Sequence, residues 1–368
     1  MRDRLKPILE LMLTSIVFWS VVMCFFVWIR YYDLDGEPGI QLVNDFIPSF
    51  WELTLIGIYI GFIIGFFYAL LDLVFDHYLS VRLHMGLILF IKTLSYLFLL
   101  IFSVTAVMSF VEILWGMDLP NERGWWRETP NFWVFVAYFG IFSLIFSFLK
   151  IAQRRFGRGV LLNLLMGSYT KPKEEDRIFL FLDLRSSTSI AEKLGHLLYS
   201  SFIRDCFLDL NKILDKYEAE VYQYVGDEAV ISWKYDRGLR RDNCVRLFFH
   251  FENILRKRYA HYSEKYGIEP EFKAGLHGGT LVVVEVGSIR KELAYHGDVM
   301  NTSARIQEQC NKYGENLLVS ASLLRDMKLN QDFITKEIGL FNLRGKSDDQ
   351  LLFAIRQPKK IPDTTSGI

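Results

Sequence analysis

The sequence has few of the features that mark zinc-finger, disulfide-stapled or nucleic-acid-binding proteins. Its 368 residues include four cysteines, Cys24, Cys206, Cys244 and Cys310, which lie far apart without the paired spacing of a zinc site or a disulfide framework. Such isolated thiols are typical of a reducing cytosol. Lys plus Arg and Asp plus Glu both number 42, and the chain has no basic stripe. The sequence therefore predicts no nucleic-acid partner.

Long apolar stretches dominate the first 150 residues instead. Four of them contain no charged residue, namely 11–29, 53–71, 93–111 and 129–149. Each reaches the length of about 20 residues that a helix needs to cross a bilayer. We therefore expect an all-α transmembrane domain over residues 1–150, with four helices at about 8–29, 51–72, 88–111 and 129–150.

The charges that flank these stretches predict the orientation of the domain. Arg2, Arg4 and Lys6 precede the first stretch, and a basic cluster from Lys150 to Arg158 follows the fourth. The first and third loops are acidic instead. Because basic residues accumulate on the cytoplasmic side, we expect both termini in the cytoplasm and the protein in the cell (inner) membrane, with the lipid bilayer as a partner. A cleaved signal peptide is disfavoured, since the first stretch lacks a small-residue cleavage site.

Charged residues at the edges of these stretches have two interpretations. If the spans begin and end as given, Asp72 and Lys92 lie at their edges and reach the headgroups by snorkelling. If the third helix begins near His84, Lys92 lies within the membrane, where an ionisable side chain indicates function.

A change of composition near residue 170 marks a boundary between two domains. Glycines at 157 and 159, an apolar segment 160–166 and a charge cluster 171–176 follow the last span. We expect a linker over 151–176, which either forms a coupling helix packed against a second copy or rests on the lipid surface. A catalytic domain follows over 177–356, and the tail 357–368 is predicted to be disordered. Within that domain, residues 240–266 have the pattern of one amphipathic helix.

The first chemical motif lies in the largely apolar run 177–184 (Arg-Ile-Phe-Leu-Phe-Leu-Asp-Leu). Asp183 comes as this run ends, which is the pattern of a strand buried on both faces. Ser186, Ser187 and Thr188 then open a helical pattern, for which we expect side-chain caps. A carboxylate beside a helix N-terminus suits a phosphate and Mg²⁺, because the carboxylate binds the cation and free N–H groups face the phosphate oxygens.

A second carboxylate lies at a predicted hairpin tip. Strand-like runs at 219–225 and 228–233 are joined by Gly226 and Asp227. Two carboxylates on adjacent strands can clamp two cations about 3.5–4 Å apart.

A third motif, at 295–307, has the pattern of a helix with Asn301 and Arg305 on one face. An amide and a guanidinium there suit a ribose and a phosphoryl group.

Taken in order, these motifs resemble those of a class III nucleotidyl cyclase catalytic domain over about 177–356. The resemblance rests on residues 181–188 (Phe-Leu-Asp-Leu-Arg-Ser-Ser-Thr), the Gly-Asp hairpin, the Asn301 to Arg305 helix, and residues 343–346 (Leu-Arg-Gly-Lys) before a last strand. It implies an α+β fold with a ferredoxin-like βαββαβ core and a head-to-tail homodimer with active sites at its interface.

The resemblance also implies a role for each site residue. Asp183, Asp227 and the backbone of Leu184 would bind two Mg²⁺ or Mn²⁺ ions per active site. Asn301 and Arg305 of a second copy would hold the ribose and stabilise the transition state. The substrate-binding residues would be Ser186, Ser187, Thr188, Gln223, Ala294 and Lys346. The reaction would convert a nucleoside triphosphate into a 3′,5′-cyclic nucleotide and pyrophosphate.

The base-reading positions depart from the pattern usual in adenylate cyclases. Gln223 stands where Lys is usual, and Ala294 where Asp or Thr is usual. A Gln amide can both donate and accept, so it can pair with adenine or, flipped, with guanine or a pyrimidine. We expect ATP as substrate, with GTP or a pyrimidine triphosphate as alternatives. A weakly active nucleotide-sensing receptor is a further alternative, whereas a diguanylate cyclase is disfavoured because its signature hairpin is absent.

Overall fold

The computed structural model describes residues 2–33, 50–75, 85–115, 130–156, 169–288, 292–329, 332–341 and 349–358. The chain divides into two compact units, Met1–Arg155 and Phe156–Ile368. We call them the N-terminal unit and the C-terminal unit. The apolar segment 160–166, Lys346 and nearly all of the predicted tail lie outside the described residues.

The N-terminal unit consists of helices that follow the apolar stretches of the sequence: α1 (Arg2–Asp33), α2 (Phe50–Val74), α3 (Met85–Trp115) and α4 (Pro130–Phe156). By length and composition, three segments could cross a membrane, namely Ile8–Ile29, Phe50–Val74 and Trp133–Lys150. In α3, a shorter apolar segment, Leu94–Ser103, stands out among the described residues. The span at 88–111 therefore stays a prediction.

Small residues let α1 and α2 approach closely. A Cβ atom added to Gly61 would lie 2.3 Å from Cα of Ser20, and one added to Gly65 would lie 2.6 Å from Cα of Ile16. Glycines four residues apart allow such backbone contact between apolar helices, where packing drives association. Aromatic rings fill the remaining core, with Tyr68 stacked on Tyr96 at a centroid distance of 3.7 Å.

One buried carboxylate joins α2, α3 and α4. Asp72 is 2% exposed and lies 2.6 Å from Nζ of Lys92 and 2.5 Å from Nζ of Lys150. The hydroxyl of Tyr96 donates to the same carboxylate at 2.7 Å. The predicted snorkelling of Asp72 is therefore wrong. Lys92 does not lie at a helix end either, because α3 begins at Met85 and Lys92 is ion-paired with Asp72 inside the helix bundle. That Lys92 lies within a membrane stays a prediction.

The C-terminal unit is built on one mixed sheet. Its strands are β1 (Lys173–Leu184), β2 (Glu220–Val225), β3 (Glu228–Lys234), β4 (Phe272–Val286), β5 (Glu292–His296), β6 (Leu317–Ser320), β7 (Ile334–Phe341) and β8 (Gln350–Arg356). Its helices are α5 (Ser187–Leu214), α6 (Tyr235–Leu239), α7 (Asn243–Lys257), α8 (Tyr259–Tyr266), α9 (Asp298–Tyr313) and α10 (Ala321–Asp326).

The strand order is β2-β3-β1-β4-β6-β8-β7, with β5 paired to β4. The first four strands are antiparallel and lie in the order β4-β1-β3-β2. With α5 after β1 and α7 and α8 after β3, they form the predicted ferredoxin-like βαββαβ core. The later strands extend this core through β6, which pairs parallel to β4.

Alternation along β1 separates the two faces of the sheet. Ile178, Leu180 and Leu182 are buried in the large core beneath α5, α7 and α8, whereas Phe179 and Phe181 belong to a second core on the other face. A strand buried on both faces was predicted for this run, and the burial pattern confirms it.

Two sequence-based boundaries differ from the structure. The helix predicted over 240–266 is divided at Arg258, which leaves helical geometry and forms an ion pair with buried Asp209 of α5. The apolar pattern continues across the break because both helices cover the same core. The linker predicted over 151–176 has regular structure at both ends, since α4 continues to Phe156 and β1 begins at Lys173.

Candidate active site

Asp183 is the next-to-last residue of β1 and projects from the face that carries Phe179 and Phe181. Its direct neighbour on β3 is Glu228, and its direct neighbour on β4 is Lys273. Directly opposed residues in a sheet have side chains on the same face, about 5 Å apart at Cβ. The sheet therefore lines up an acid, a second acid and a cation at this edge.

The contacts of Asp183 converge on one of its two oxygens. Nζ of Lys273 lies 3.1 Å from Oδ2, and Nε2 of Gln307 donates to the same Oδ2 at 2.9 Å. Among the described residues, no hydrogen bond or ion pair involves Oδ1. The Asp183 side chain keeps 23% of its surface exposed, whereas that of Lys273 keeps 9%.

A glycine on β4 brings Gln307 within reach of Asp183. A Cβ atom added to Gly275 would lie 2.3 Å from the backbone N of Gln307 and 2.4 Å from the carbonyl O of Ser303. Only glycine allows α9 to rest directly on β4 at this point. Because Gly275 pairs with Phe181, two residues before Asp183, the helix backbone lies close to the carboxylate.

Asp227 occupies the predicted position at the tip of the β2–β3 hairpin. Gly226 turns the chain with a φ of 61°, a left-handed conformation that favours glycine. Burial raises the pKa of Asp183, and the negative charge of Asp227 raises it further. The ammonium of Lys273 lowers this pKa, but it offsets the increase only in part. Burial and the charges of Asp183 and Asp227 raise the pKa of Glu228 to about 7. Because Asp183 is paired with Glu228 in the register of β1 and β3, and Asp227 directly precedes Glu228, the three carboxyl groups share one small region.

The turn from β1 into α5 differs in detail from its prediction. Ser186 is the N-cap, but it has a left-handed φ of 54° and its side chain makes no capping hydrogen bond. The expected side-chain cap at this residue is wrong, because the chain must reverse from strand to helix within two residues. Leu184 ends β1 and pairs with Phe272. First-turn N–H groups of a helix, here those of Ser187 and Thr188, lack intrahelical acceptors and suit an anion.

The helix with Asn301 and Arg305 begins where the sequence predicts. Gly297 precedes its first residue, Asp298. Asn301 is exposed and Arg305 is half-buried, whereas Ser303 and Gln307 face β4. In the described part of the chain, no hydrogen bond or ion pair joins Asn301 or Arg305 to the carboxylates. One copy thus brings Asp183 and Asp227 together and leaves this pair outside the cluster.

The predicted base-reading residues lie on separate strands. Gln223 is exposed on β2 opposite Val230, next to a β-bulge. Ala294 is half-buried on β5 opposite Val284. The sheet thus supports both residues on its regular strands, and neither carries a charge that would select one base.

Three residues of this cluster were missed by sequence reasoning: Glu228, Lys273 and Gln307. Glu228 follows Asp227 directly and was detectable as a third acid. Lys273 and Gln307 could not be placed in the site from a single sequence, because their positions depend on the register of β4 with β1 and on which face of α9 packs against β4.

The donor atoms at this edge fit a hard divalent cation. Carboxylate oxygens of Asp183 and Asp227 are the ligands that Mg²⁺ prefers, and Mg²⁺ usually keeps water and phosphate oxygens as its remaining ligands. Within the described residues, no group of three or more His, Cys, Asp or Glu side chains is arranged so that it could hold a metal ion. An open pair of carboxylates therefore suits a metal bound together with a phosphate-bearing substrate.

Comparison with known proteins agrees with this geometry. Residues 170–357 match the family described as the adenylate and guanylate cyclase catalytic domain. Adenylate cyclase 2 of Rhizobium meliloti (strain 1021) is 36% identical over 190 residues, which are 52% of this chain and 52% of that protein. An adenylate cyclase of Anabaena cylindrica is 23% identical over 187 residues, or 48% of this chain and 36% of that protein. The chain thus spans about half and about a third of these two relatives.

A solved structure supports the fold independently. A bacterial light-regulated adenylyl cyclase has a TM-score of 0.50 and 17% sequence identity, and the match covers 60% of this chain and 64% of that one. At this identity the likeness concerns the fold alone.

Proposed function

The chain belongs to the adenylate and guanylate cyclase catalytic domain family, and from this premise we propose that it is a membrane-bound enzyme that converts ATP into 3′,5′-cyclic AMP and pyrophosphate. The observation that carries the proposal is the convergence of Asp183 and Asp227 at one open edge of the sheet. In this reaction the ribose 3′-hydroxyl gives up its proton to solvent and its oxygen forms a bond to the α-phosphorus, while the bond from that phosphorus to the pyrophosphate oxygen breaks. The curated relative with 36% identity is an adenylate cyclase, which supports ATP.

Asp183, Asp227 and the backbone carbonyl of Leu184 would hold two Mg²⁺ or Mn²⁺ ions. When bound, such ions favour the reactive form of the 3′-hydroxyl and neutralise the charge that develops on the leaving phosphates. The half-burial of both carboxylates supports this role, because their attraction for a cation is stronger where water is partly excluded.

The start of α5 would bind the triphosphate. The N–H groups of Ser187 and Thr188 and the positive end of the helix dipole favour phosphate oxygens. Ser186 holds the turn, since its carbonyl accepts from Ile190 N at 3.0 Å. Lys346, outside the described residues, would add a positive charge to the same phosphates.

A second copy of the chain would complete each site. Asn301 would hold the ribose, and Arg305 would present its fork of donors to the transferring phosphoryl group. The exposure of Asn301, away from the face of α9 that packs on β4, supports contact with another molecule. In a head-to-tail homodimer each chain would supply carboxylates to one site and α9 to the other.

The N-terminal unit would anchor the enzyme in the cell (inner) membrane. Its three long apolar segments and the basic residues before Ile8 and from Lys150 to Arg158 support a cytoplasmic N-terminus and a cytoplasmic catalytic unit. A product released there reaches soluble cytoplasmic effectors directly.

GTP or a pyrimidine triphosphate is the alternative substrate, favoured by one observation. Gln223 and Ala294 carry no charge, and an amide serves adenine or, after a flip, guanine. A weakly active nucleotide-sensing receptor would also fit an altered base-reading pair, but it would not need the metal-type carboxylates.

The full chain, purified in detergent, should be supplied with Mn²⁺ and each of the four ribonucleoside triphosphates, and the products separated by chromatography. We expect cyclic AMP from ATP and less cyclic product from the others. Preferential cyclisation of GTP, CTP or UTP would reassign the substrate. The absence of any cyclic product would refute the proposed activity.

A further inference from the structure

Two donors share one carboxylate oxygen at the proposed metal site. Lys273 and Gln307 both contact Oδ2 of Asp183, at 3.1 Å and 2.9 Å. We propose that Lys273 and Gln307 are positioning residues, which hold Oδ2 of Asp183 and thereby direct its Oδ1 toward a divalent cation. This inference rests on the proposed function, because it concerns the same carboxylate.

The burial of Lys273 makes its contact with Asp183 persistent. Its side chain is 9% exposed, and an ammonium removed from water is costly unless a counter-charge is close. The register of β1 and β4 sets Asp183 directly opposite, so the nearest carboxylate is supplied by the sheet itself. The ammonium thus occupies Oδ2, which leaves Oδ1 as the oxygen available to a cation.

Gln307 adds direction to the contact. Its backbone is fixed against Gly275, and the residue is 5% exposed, so the amide has few alternative positions. An amide oxygen turned toward a carboxylate would be repelled, whereas the NH₂ group donates to it. Donors from β4 and α9 therefore approach Oδ2 from two elements and fix the plane of the carboxyl group.

A fixed carboxylate has a measurable consequence. Partners that orient a metal ligand without touching the metal typically contribute about 10- to 100-fold to metal affinity. A merely structural ion pair would lower thermal stability when it is broken, but it would not change the metal affinity of the protein that remains folded. Metal affinity and stability therefore separate the two roles.

The test measures Mn²⁺ binding by electron paramagnetic resonance in the full chain in detergent. The variants are Lys273→Met, Gln307→Met and the conservative Lys273→Arg, with Lys257→Met as a matched control on an exposed position of α7. We expect Lys273→Met to weaken Mn²⁺ binding by about 10-fold or more, and Gln307→Met by several-fold. Lys273→Arg should recover most of the affinity, and Lys257→Met should match the wild type.

Each result supports or overturns the inference. Wild-type Mn²⁺ affinity in folded Lys273→Met and Gln307→Met would overturn it, and so would a wild-type chain that binds no Mn²⁺. If Lys273→Met unfolds, the Mn²⁺ affinity of Gln307→Met, which removes no charge, decides the question alone. Cyclic nucleotide formation is measured separately on the same samples. If the variants bind Mn²⁺ more weakly but the wild type forms no cyclic nucleotide, the positioning role stands and the proposed activity is rejected. If the wild type forms cyclic nucleotide but the variants bind Mn²⁺ as the wild type does, the activity stands and the positioning role is rejected.

Discussion

Gln307 donates a hydrogen bond to Oδ2 of Asp183 at 2.9 Å, so the helix that bears Asn301 and Arg305 is tied to the carboxylate of its own chain. In the proposed head-to-tail dimer, α9 would serve one site through Gln307 and the other through Asn301 and Arg305. A shift of this helix would then alter both sites together. In such a dimer, this hydrogen bond would link the two active sites.

Loss of the hairpin carboxylate should stop turnover without separating the two chains. Asp227→Ala removes a proposed metal ligand from the half-buried end of the β2–β3 hairpin, where no core side chain is lost. We expect cyclic nucleotide formation to fall by more than about 100-fold, with an unchanged dimer mass by light scattering. Asp236→Ala, at an exposed position of α6, is the control. Activity near the wild-type level in Asp227→Ala would refute its metal role.

Exchange of the proposed base reader should change substrate preference. Gln223→Lys replaces an amide, which donates and accepts, with a group that only donates. We expect the ratio of kcat/KM for ATP to that for GTP to change by about 10-fold or more. Gln357→Lys, exposed just after β8, controls for the added charge. If selectivity does not move, Gln223 does not contact the base.

The buried carboxylate of the N-terminal unit should be central to the stability of the helix bundle. Asp72→Ala leaves Lys92 and Lys150 without their shared counter-charge, and breaking a buried pair in this way costs about 3–5 kcal/mol. We expect a lower midpoint of thermal unfolding in detergent. The triple variant Asp72→Leu, Lys92→Met, Lys150→Met should recover part of the loss, because apolar side chains need no counter-charge. An unchanged midpoint in Asp72→Ala would contradict the role of this network.

A second buried carboxylate predicts how stability depends on pH. Burial alone would raise the pKa of Asp209, but hydrogen bonds from Lys212, Tyr262 and Arg258 outweigh it, so the pKa is lowered. The stabilisation is present above the unfolded pKa of about 3.9 and is lost as pH falls through the lower folded pKa.

Asp209→Asn should therefore reduce the unfolding midpoint most strongly near neutral pH. We expect a loss of about 3 kcal/mol there, typical of a broken buried pair, and a smaller difference from the wild type as the pH approaches 3. Thermal unfolding of the full chain across this range measures it, with Asp236→Asn as the exposed control. A difference that stays constant with pH would show that the charge of Asp209 is not responsible.

Local patterns were sufficient for the main elements of the fold. The apolar run before Asp183 predicted β1, the Gly226-Asp227 pair predicted the hairpin, and the Gly297-Asp298 pair predicted the start of α9. Each of these signals lies within a few residues of the feature that it predicts, so no knowledge of distant contacts was needed.

Features that depend on distant contacts could not be predicted in this way. The pairing of Asp183 with Lys273 depends on a register between strands 90 positions apart, and Gln307 reaches the site only because Gly275 admits the helix. The break at Arg258 and the burial of Asp72 depend likewise on partners from other helices. A single sequence records neither register nor helix facing, so the positions around the site required the structure.

The central claim is that two carboxylates of one chain act with α9 of another, and a mixing experiment tests it most directly. Asp183→Ala and Arg305→Ala chains, each inactive alone, should be co-expressed, and all dimers should be purified together without sorting. With random pairing, about half of the dimers would be mixed and each would hold one intact site, giving about a quarter of wild-type activity. Cyclic AMP formation at that level is the predicted result. No recovery, in dimers confirmed to contain both chains, would contradict the claim.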